Sequence, residues 1–234
     1  IKYPAKVVSI IYECDLAMLS VDPKPGSMKS SSMKPGSMKP GSDDFWVDIP
    51  ALAIGGLPAK LDNVFVYGYP LGGYNVSVTT GTVNRIQIIQ YFDAVMGIAI
   101  QIDAPINFGN SGGPVVNASG DVVGVAFSGE DDSTTQNMGY IIPTTLIRYF
   151  LSNATGNRPF EGLSSLDIEF QALHNQSLRH YLNVSETGVL VTNVNPIGSS
   201  GALLKKMDVI THIDGKKISN DGTMLLKDVI ESAD

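Results

Sequence analysis

The sequence predicts a mainly β protein in two parts, an all-β sandwich or barrel followed by a small α+β module. Two observations carry this reading. From Val7 to Pro143 the chain is a series of short β-branched runs broken by Gly, Pro, Asn and Asp, the spacing of an all-β domain. Then the period changes: in "PTTLIRYFLSNATG" the apolar Leu146, Ile147, Phe150 and Leu151 recur at helical spacing, with Thr144 or Thr145 as N-cap and Gly156 beyond the end. That helix closes a first domain of residues 1–156 and leaves residues 157–234 to the second.

Taken in order, "KVVSIIY" and "AMLSV" read as strands on either side of "ECDL". Residues 23–42, "PKPGSMKSSSMKPGSMKPGS", repeat Lys-Pro-Gly-Ser with methionines between. With no aromatic or β-branched residue, this stretch buries too little to offset its ordering entropy. It reads as a disordered loop inserted between strands, because β-type sequence resumes at "FWVDIPALAIGG". Its lysines (Lys24, Lys29, Lys34, Lys39) read as a solvated face. The runs "NVFVYGYP", "NVSVTTGTVNRIQII" and "GIAIQID" follow, then the hairpin "VVNASGDVVGV" and the strand "MGYIIP". In the second part, "GVLVTNV" reads as a strand, a short helix is predicted around Ala202 to Lys206, and "VITHIDGKKIS" is a hairpin turned by Asp-Gly.

Composition narrows the function classes. A chain of 234 residues with 43% apolar content can bury a sizeable core. Its net charge of −7 argues against nucleic-acid or anionic-membrane partners, which require clustered Lys and Arg. The single cysteine, Cys14, excludes an internal disulfide framework and a multi-cysteine zinc site, and reads as a small buried hydrophobe. No cofactor is expected. No apolar run approaches the roughly 20 residues of a membrane helix. No signal peptide is visible, and an opening at Ile1 rather than methionine reads as a fragment or processed product.

The stretch that carries chemistry is "INFGNSGGPVV", Ile106 to Val116. Gly109-Asn110-Ser111-Gly112-Gly113 satisfies the spelling of the hydrolase nucleophile elbow, but that elbow needs a helix directly after the serine. Here Gly-Gly-Pro-Val-Val and a hairpin follow, which is poor helix material. The remaining reading is a nucleophilic serine on a loop of a β scaffold. The glycines free backbone N–H groups to converge on a developing oxyanion, the chemistry of acyl transfer.

"GNSGGP" followed by a hairpin resembles the nucleophile loop of trypsin-fold serine proteases, in the form found in the Deg/HtrA family. "VYGYPLGGYNVSVTTGTVNRI" resembles that family's Gly-x-Pro-x-Gly strand pair, and "ECDLAMLSVD" the segment bearing the triad aspartate. "MGYIIPTTLIRYFL" resembles the end of its protease domain, and "LDIEF" with "LLKKMDVITHIDG" its PDZ domain. Together with "DDFW" and "GYPLGG" the set is most similar to the plant and organellar type.

The resemblance implies a trypsin-like double β-barrel with its first barrel incomplete, then a PDZ-like domain that is C-terminally incomplete. Ser111 is the implied nucleophile and Asp15 the acid that orients the histidine. Gly109 and Ser111 are the implied oxyanion donors, with Asn110 holding the loop between them. Ile106, and less directly Phe127, would line a pocket for a small aliphatic side chain. Leu166, Asp167 and Ile168 would hold a peptide's C-terminal carboxylate while the peptide adds as a strand. Asp103, in "QIDAP", reads as a turn residue. The implied substrates are unfolded proteins or peptides, the assembly a trimer-based homo-oligomer, and the setting a chloroplast or mitochondrion.

One triad member is missing from this pattern. The three histidines, His174, His180 and His212, all follow the serine, whereas in the trypsin-type order the base precedes the aspartate. The expectation is an N-terminally truncated protease, inactive alone. The alternative is a catalytically dead peptide-binding scaffold.

Overall fold

The computed structural model describes residues 5–21, 49–70, 75–91, 96–129, 138–154 and 162–224. The Lys-Pro-Gly-Ser repeat lies outside the described residues, as does the stretch after Met224, where "MLLKDVIESAD" reads in sequence as at most one further helix. The chain divides into two compact units, Ile1–Gly162 and Leu163–Asp234, a few residues beyond the expected boundary at 156.

The first unit contains the antiparallel hairpin β1 (Ala5–Ile11) and β2 (Leu16–Val21), and a six-stranded closed barrel. The barrel strands are β3 (Asn63–Gly68), β4 (Ser77–Gln90), β5 (Met96–Ile102), β6 (Pro114–Val116), β7 (Val122–Gly129) and β8 (Gly139–Pro143), joined in the order β3-β4-β5-β8-β7-β6. β6 also pairs with β3, Val66 opposite Val115, so no edge of the ladder is left open. Every barrel strand predicted from the β-branched runs is present. The reason is visible inside, where Val64, Val66, Val83, Ile100, Ile102, Val115, Val123 and Ile141 form one cluster that is almost wholly excluded from solvent. Each such side chain contributes about 1.5–3 kcal/mol of burial.

Helix α1 (Thr144–Ala154) follows β8 as predicted and packs across β7 and β8. This explains why all five residues of β8 are buried: one face meets the barrel interior and the other lies under α1. The segment after "FWVD" departs from expectation. Residues 51–59 form no strand, only a single bridge from Ile54 to Val122. The segment is held by Gly55 N–H to Val122 O (2.8 Å), Val122 N–H to Ala53 O (2.8 Å) and the Arg148 guanidinium of α1 on Ile54 O. The β6–β7 hairpin turns at Asn117, whose Oδ1 accepts from Ser119 and Asp121 N–H at 3.0 Å each.

The second unit has a three-stranded sheet in the order β11-β10-β9, with β9 Ile168–Ala172, β10 Val189–Val194 and β11 Val209–Ile210. A hairpin of β12 (His212–Ile213) and β13 (Lys216–Lys217) turns at Asp214 and Gly215, both at positive φ (51° and 72°), as the Asp-Gly pair predicts. The helix expected at 202–206 is absent. A single turn forms, with Leu203 and Leu204 N–H both on Ser200 O. The chain then turns away: Lys205 N–H goes to the Asp208 carboxylate (2.8 Å) and Met207 takes φ 79°. Among the described residues of this unit the helix is instead α2, Gln176–Tyr181, capped by Asn175 Oδ1 accepting Leu178 N–H at 3.2 Å.

Tyr91 lies over the Cα of Gly97, its hydroxyl donating to Ile98 O at 2.6 Å, and is 3% exposed. A methyl at residue 97 would run into the Tyr91 ring. Gly97→Ala is expected to lower stability by about 1–3 kcal/mol, read as a shift of the urea midpoint with unchanged slope.

Candidate functional site

The chain from Asp103 to Gly113 crosses from β5 to β6 and is fastened at both ends. Asp103, expected to be a turn residue, lies at a bend just after β5, its carboxylate taking the N–H of Thr82 and the Thr82 hydroxyl (3.0 Å) on neighbouring β4. At the other end Gly112 N–H donates to Ala126 O (2.7 Å), Ala126 N–H to Gly113 O (2.9 Å), and Tyr69 N–H to Gly109 O (3.0 Å). Gly109 sits at φ 103°, and a methyl there would collide with Tyr69 O, so only glycine fits.

Asn110, expected to hold the loop between the oxyanion donors, meets its neighbours through its backbone and its bulk. Its N–H donates to Asn107 O and its carbonyl accepts from Gly113 N–H, both at 2.9 Å. Its side chain, 1% exposed, is packed over Gly68, and Oδ1 accepts no bond among the described residues. Between these anchored neighbours Ser111 is exposed, and its Oγ donates to the carbonyl of Phe127 at 3.3 Å. Neither the Gly109 nor the Ser111 N–H finds an acceptor among the described residues.

The Phe127 carbonyl is available to Ser111 because β7 bulges there. Ala126 pairs with Ile141 and Ser128 with Tyr140, so Phe127 is the extra residue in the ladder. A bulge twists the strand locally and re-aims the groups of the extra residue. The sequence shows Phe127 only as one more apolar residue of a strand; nothing in its spelling announces the bulge. Its ring stacks, tilted by 48°, on Tyr91 with centroids 4.9 Å apart.

Tyr91 in turn leads to Asp15. The Cys14 thiol is close enough to help raise the Tyr91 phenol, which burial chiefly pushes up. Cys14 is 1% exposed, the buried hydrophobe expected, and burial first, then the charges of Glu13 and Asp15, raise its pKa to about 12. Asp15 follows at φ 53°, ends the one-turn helix Tyr12–Cys14 and immediately precedes β2. Its exposed carboxylate has no partner among the described residues. Ile106 is 8% exposed and belongs to the barrel's core cluster, against the Cα of Gly139.

The three histidines all belong to the second unit. His174 and His180 are exposed, and His212 lies 3.9 Å from the Glu186 carboxylate, which Lys217 also approaches at 3.7 Å. Of the residues expected to hold a peptide carboxylate, Leu166 is 42% exposed and Ile168 begins β9 opposite Val194. Asp167 is itself engaged: its N–H donates to Ser165 Oγ and its carboxylate accepts the Ser199 N–H, both at 3.0 Å. Among the described residues, no three His, Cys, Asp or Glu side chains gather as a metal site would require.

Comparison with known proteins gives this arrangement relatives. The family described as "Trypsin-like peptidase domain" matches residues 1–125. The chain is 40% identical over 225 residues to "Protease Do-like 2, chloroplastic" of Arabidopsis thaliana, covering 95% of this chain and 34% of that protein. It is 36% identical over 229 residues to "Protease Do-like 4, mitochondrial" of the same plant, covering 97% of this chain and 40% of that one. Among solved structures it is similar to "HtrA-type protease AlgW with tripeptide", at 26% identity and a TM-score of 0.64, over 93% of this chain and 65% of that one. The chain thus spans well under half the length of these curated relatives.

Two outcomes follow from the site's geometry. Gly109→Ala is expected to cost about 1–3 kcal/mol, measured by urea unfolding, from strained backbone and the Tyr69 contact. Because the folded state keeps the Cys14 proton until about pH 12 and an unfolded thiol releases it near 9.0, stability is expected to fall as pH rises through that window. The urea midpoint should drop between pH 8.5 and 10.5, by less in Cys14→Ala, and a thiol reagent at pH 8 should label Cys14 only in denaturant.

Proposed function

This chain belongs to the trypsin-like serine peptidases of the Deg/HtrA kind, and on that premise we propose that its β-barrel unit is the nucleophile-bearing half of an endopeptidase acting on unfolded protein. The observation that carries the reading is Ser111 itself. Its Oγ is exposed and lightly held by the Phe127 carbonyl, beside Gly109 and Ser111 N–H groups that have no acceptor among the described residues. Ser111 Oγ would attack the scissile carbonyl as its proton passes to the base, and those two N–H groups would receive the oxyanion. Collapse of the oxyanion would break the C–N bond and release the amine with that proton, and water would then free the acyl group from Ser111.

The strand beside the serine supports a place for substrate. β6 begins at Pro114, opposite Val125, so the β6–β7 ladder stops short of the end of β7 at Gly129. An extended substrate would lie there, with its side chain before the scissile bond directed towards Ile106 and Phe127. No acidic group is among these, which favours a small aliphatic residue over Lys or Arg. Asp15 would orient an imidazole and stabilise its charged form. The unpartnered carboxylate at the head of β2 supports that role.

The imidazole is not among the histidines of these 234 residues in the expected order. Without a base Ser111 stays protonated, and removing one triad member takes away most of the rate. Alone, the 234-residue chain is inactive; joined to a segment supplying a histidine ahead of Asp15, it turns over. The chloroplastic and mitochondrial relatives support an organellar setting. In the second unit, β9 is one of the two outer strands of its sheet among the described residues, which supports capture of extended peptides by strand addition.

A fluorogenic casein assay tests both halves of the proposal. The expected results are no turnover from the 234 residues, turnover from a longer form carrying the histidine, and a loss of at least about 10³-fold there on Ser111→Ala. Turnover by the short chain that Ser111→Ala abolishes would overturn its inactivity. A longer, folded, histidine-bearing form that leaves casein intact would instead favour a peptide-binding scaffold.

A further inference from the structure

The loop at the start of β9, which the sequence reading makes the seat of a peptide's terminal carboxylate, holds a fixed negative charge. Asp167 adopts φ 51° directly before the strand and turns its carboxylate back into the loop. There Oδ2 accepts the N–H of Ser199 at 3.0 Å, while the Ser199 hydroxyl donates to Ser165 O at 2.7 Å and Asn195 N–H to Asp167 O at 2.9 Å. The Asp167 N–H is occupied by Ser165 Oγ at 3.0 Å. The bonds from Ser199 and Ser165 hold the Asp167 carboxyl below the ordinary range, so it is ionised at neutral pH. One residue into the strand, exposed Glu169 accepts Asn193 Nδ2 at 3.3 Å and adds a second negative charge on the same strand.

An incoming C-terminal carboxylate needs free N–H donors and no like charge beside them. This loop has spent one of its donors on Ser165, and places an internal carboxylate on the Ser199 N–H nearby. The rest of β9 is still a strand edge: it pairs with β10 on one side only, and among the described residues no strand occupies the other. The apolar Leu166 stands exposed at its head.

We propose that β9 takes internal extended segments of a polypeptide rather than free C-termini, with a Lys or Arg of the segment set against Asp167. The proposal rests on the reading that β9 binds peptides by strand addition. It adds which peptides: a segment without a terminal charge loses nothing to the repulsion, and a basic side chain gains from it.

Fluorescence anisotropy with the 234-residue chain decides the question with three labelled probes. These are an apolar decapeptide containing one central lysine and a free C-terminal carboxylate, the same peptide as its C-terminal amide, and that amide with norleucine in place of lysine. On the unaltered protein the lysine amide is expected to bind at least tenfold tighter than either other probe. Asp167→Asn should erase most of both differences; Asp167→Gly, which suits the positive φ, provides the same reading if the asparagine variant does not fold. Equal binding of acid and amide, or tighter binding of the acid, overturns the proposal while leaving strand addition intact. Absence of binding by all three probes to the unaltered protein and to both variants overturns the peptide-binding reading, and the proposal with it.

Discussion

The barrel is closed by a very short strand, and the serine's position depends on that closure. β6 has only three residues, yet it pairs with β3 on one side and β7 on the other. Val115 and Val66, facing each other across the seam, are both wholly buried. Because β6 begins at Pro114, the segment from Asp103 to Gly113 has no slack: it must reach from the end of β5 to a strand fixed by two neighbours. The hydrogen bonds of Tyr69, Gly112 and Ala126 to this segment are made by the same strands that close the barrel, or by residues next to them. Hydrophobic burial in the interior is thereby converted into positional accuracy at the rim.

How far the sequence foretold this differs from one feature to the next. The barrel strands and α1 were legible because their periodicities are strong and tertiary packing agrees with them. Ser111 was legible because an unusual glycine pattern surrounds it, and Gly109 shows why the pattern is needed: a backbone at φ 103° against Tyr69 O. The bulge at Phe127 was not legible, since register is decided between strands and leaves no mark on one of them. At residues 202–206 helical propensity was overridden by the Asp208 carboxylate, which draws the Lys205 N–H out of the turn. The helix at Gln176 had its signal in Asn175, a capping residue ahead of Leu178, Tyr181 and Leu182. Asp167 was visible as a letter, but not as a charge folded back onto Ser199.

The two units solve similar problems with opposite choices. At the Ser111 loop, the Gly109 and Ser111 N–H groups have no acceptor among the described residues, a local cost that fits the proposed role of receiving a developing charge. At the head of β9 the donors near the strand are engaged by Ser165 and Asp167 side chains, so the loop is stable without any visitor. An unsatisfied loop is poised to receive an anion, and a satisfied one resists it.

The bulge at Phe127 separates identity from number. What Ser111 receives there is a main-chain carbonyl, which any amino acid but one that misshapes the strand can provide. Exchanging the ring would alter the wall that faces Tyr91 while leaving the serine's acceptor in place. Deleting that one residue from β7 would instead close the bulge, leaving Ala126 opposite Ile141 and Ser128 opposite Tyr140 in an unbroken ladder, and withdraw the carbonyl. The position is therefore permissive in composition and strict in count, so variants that differ in side chains there can keep a common serine geometry, whereas variants that differ in length cannot.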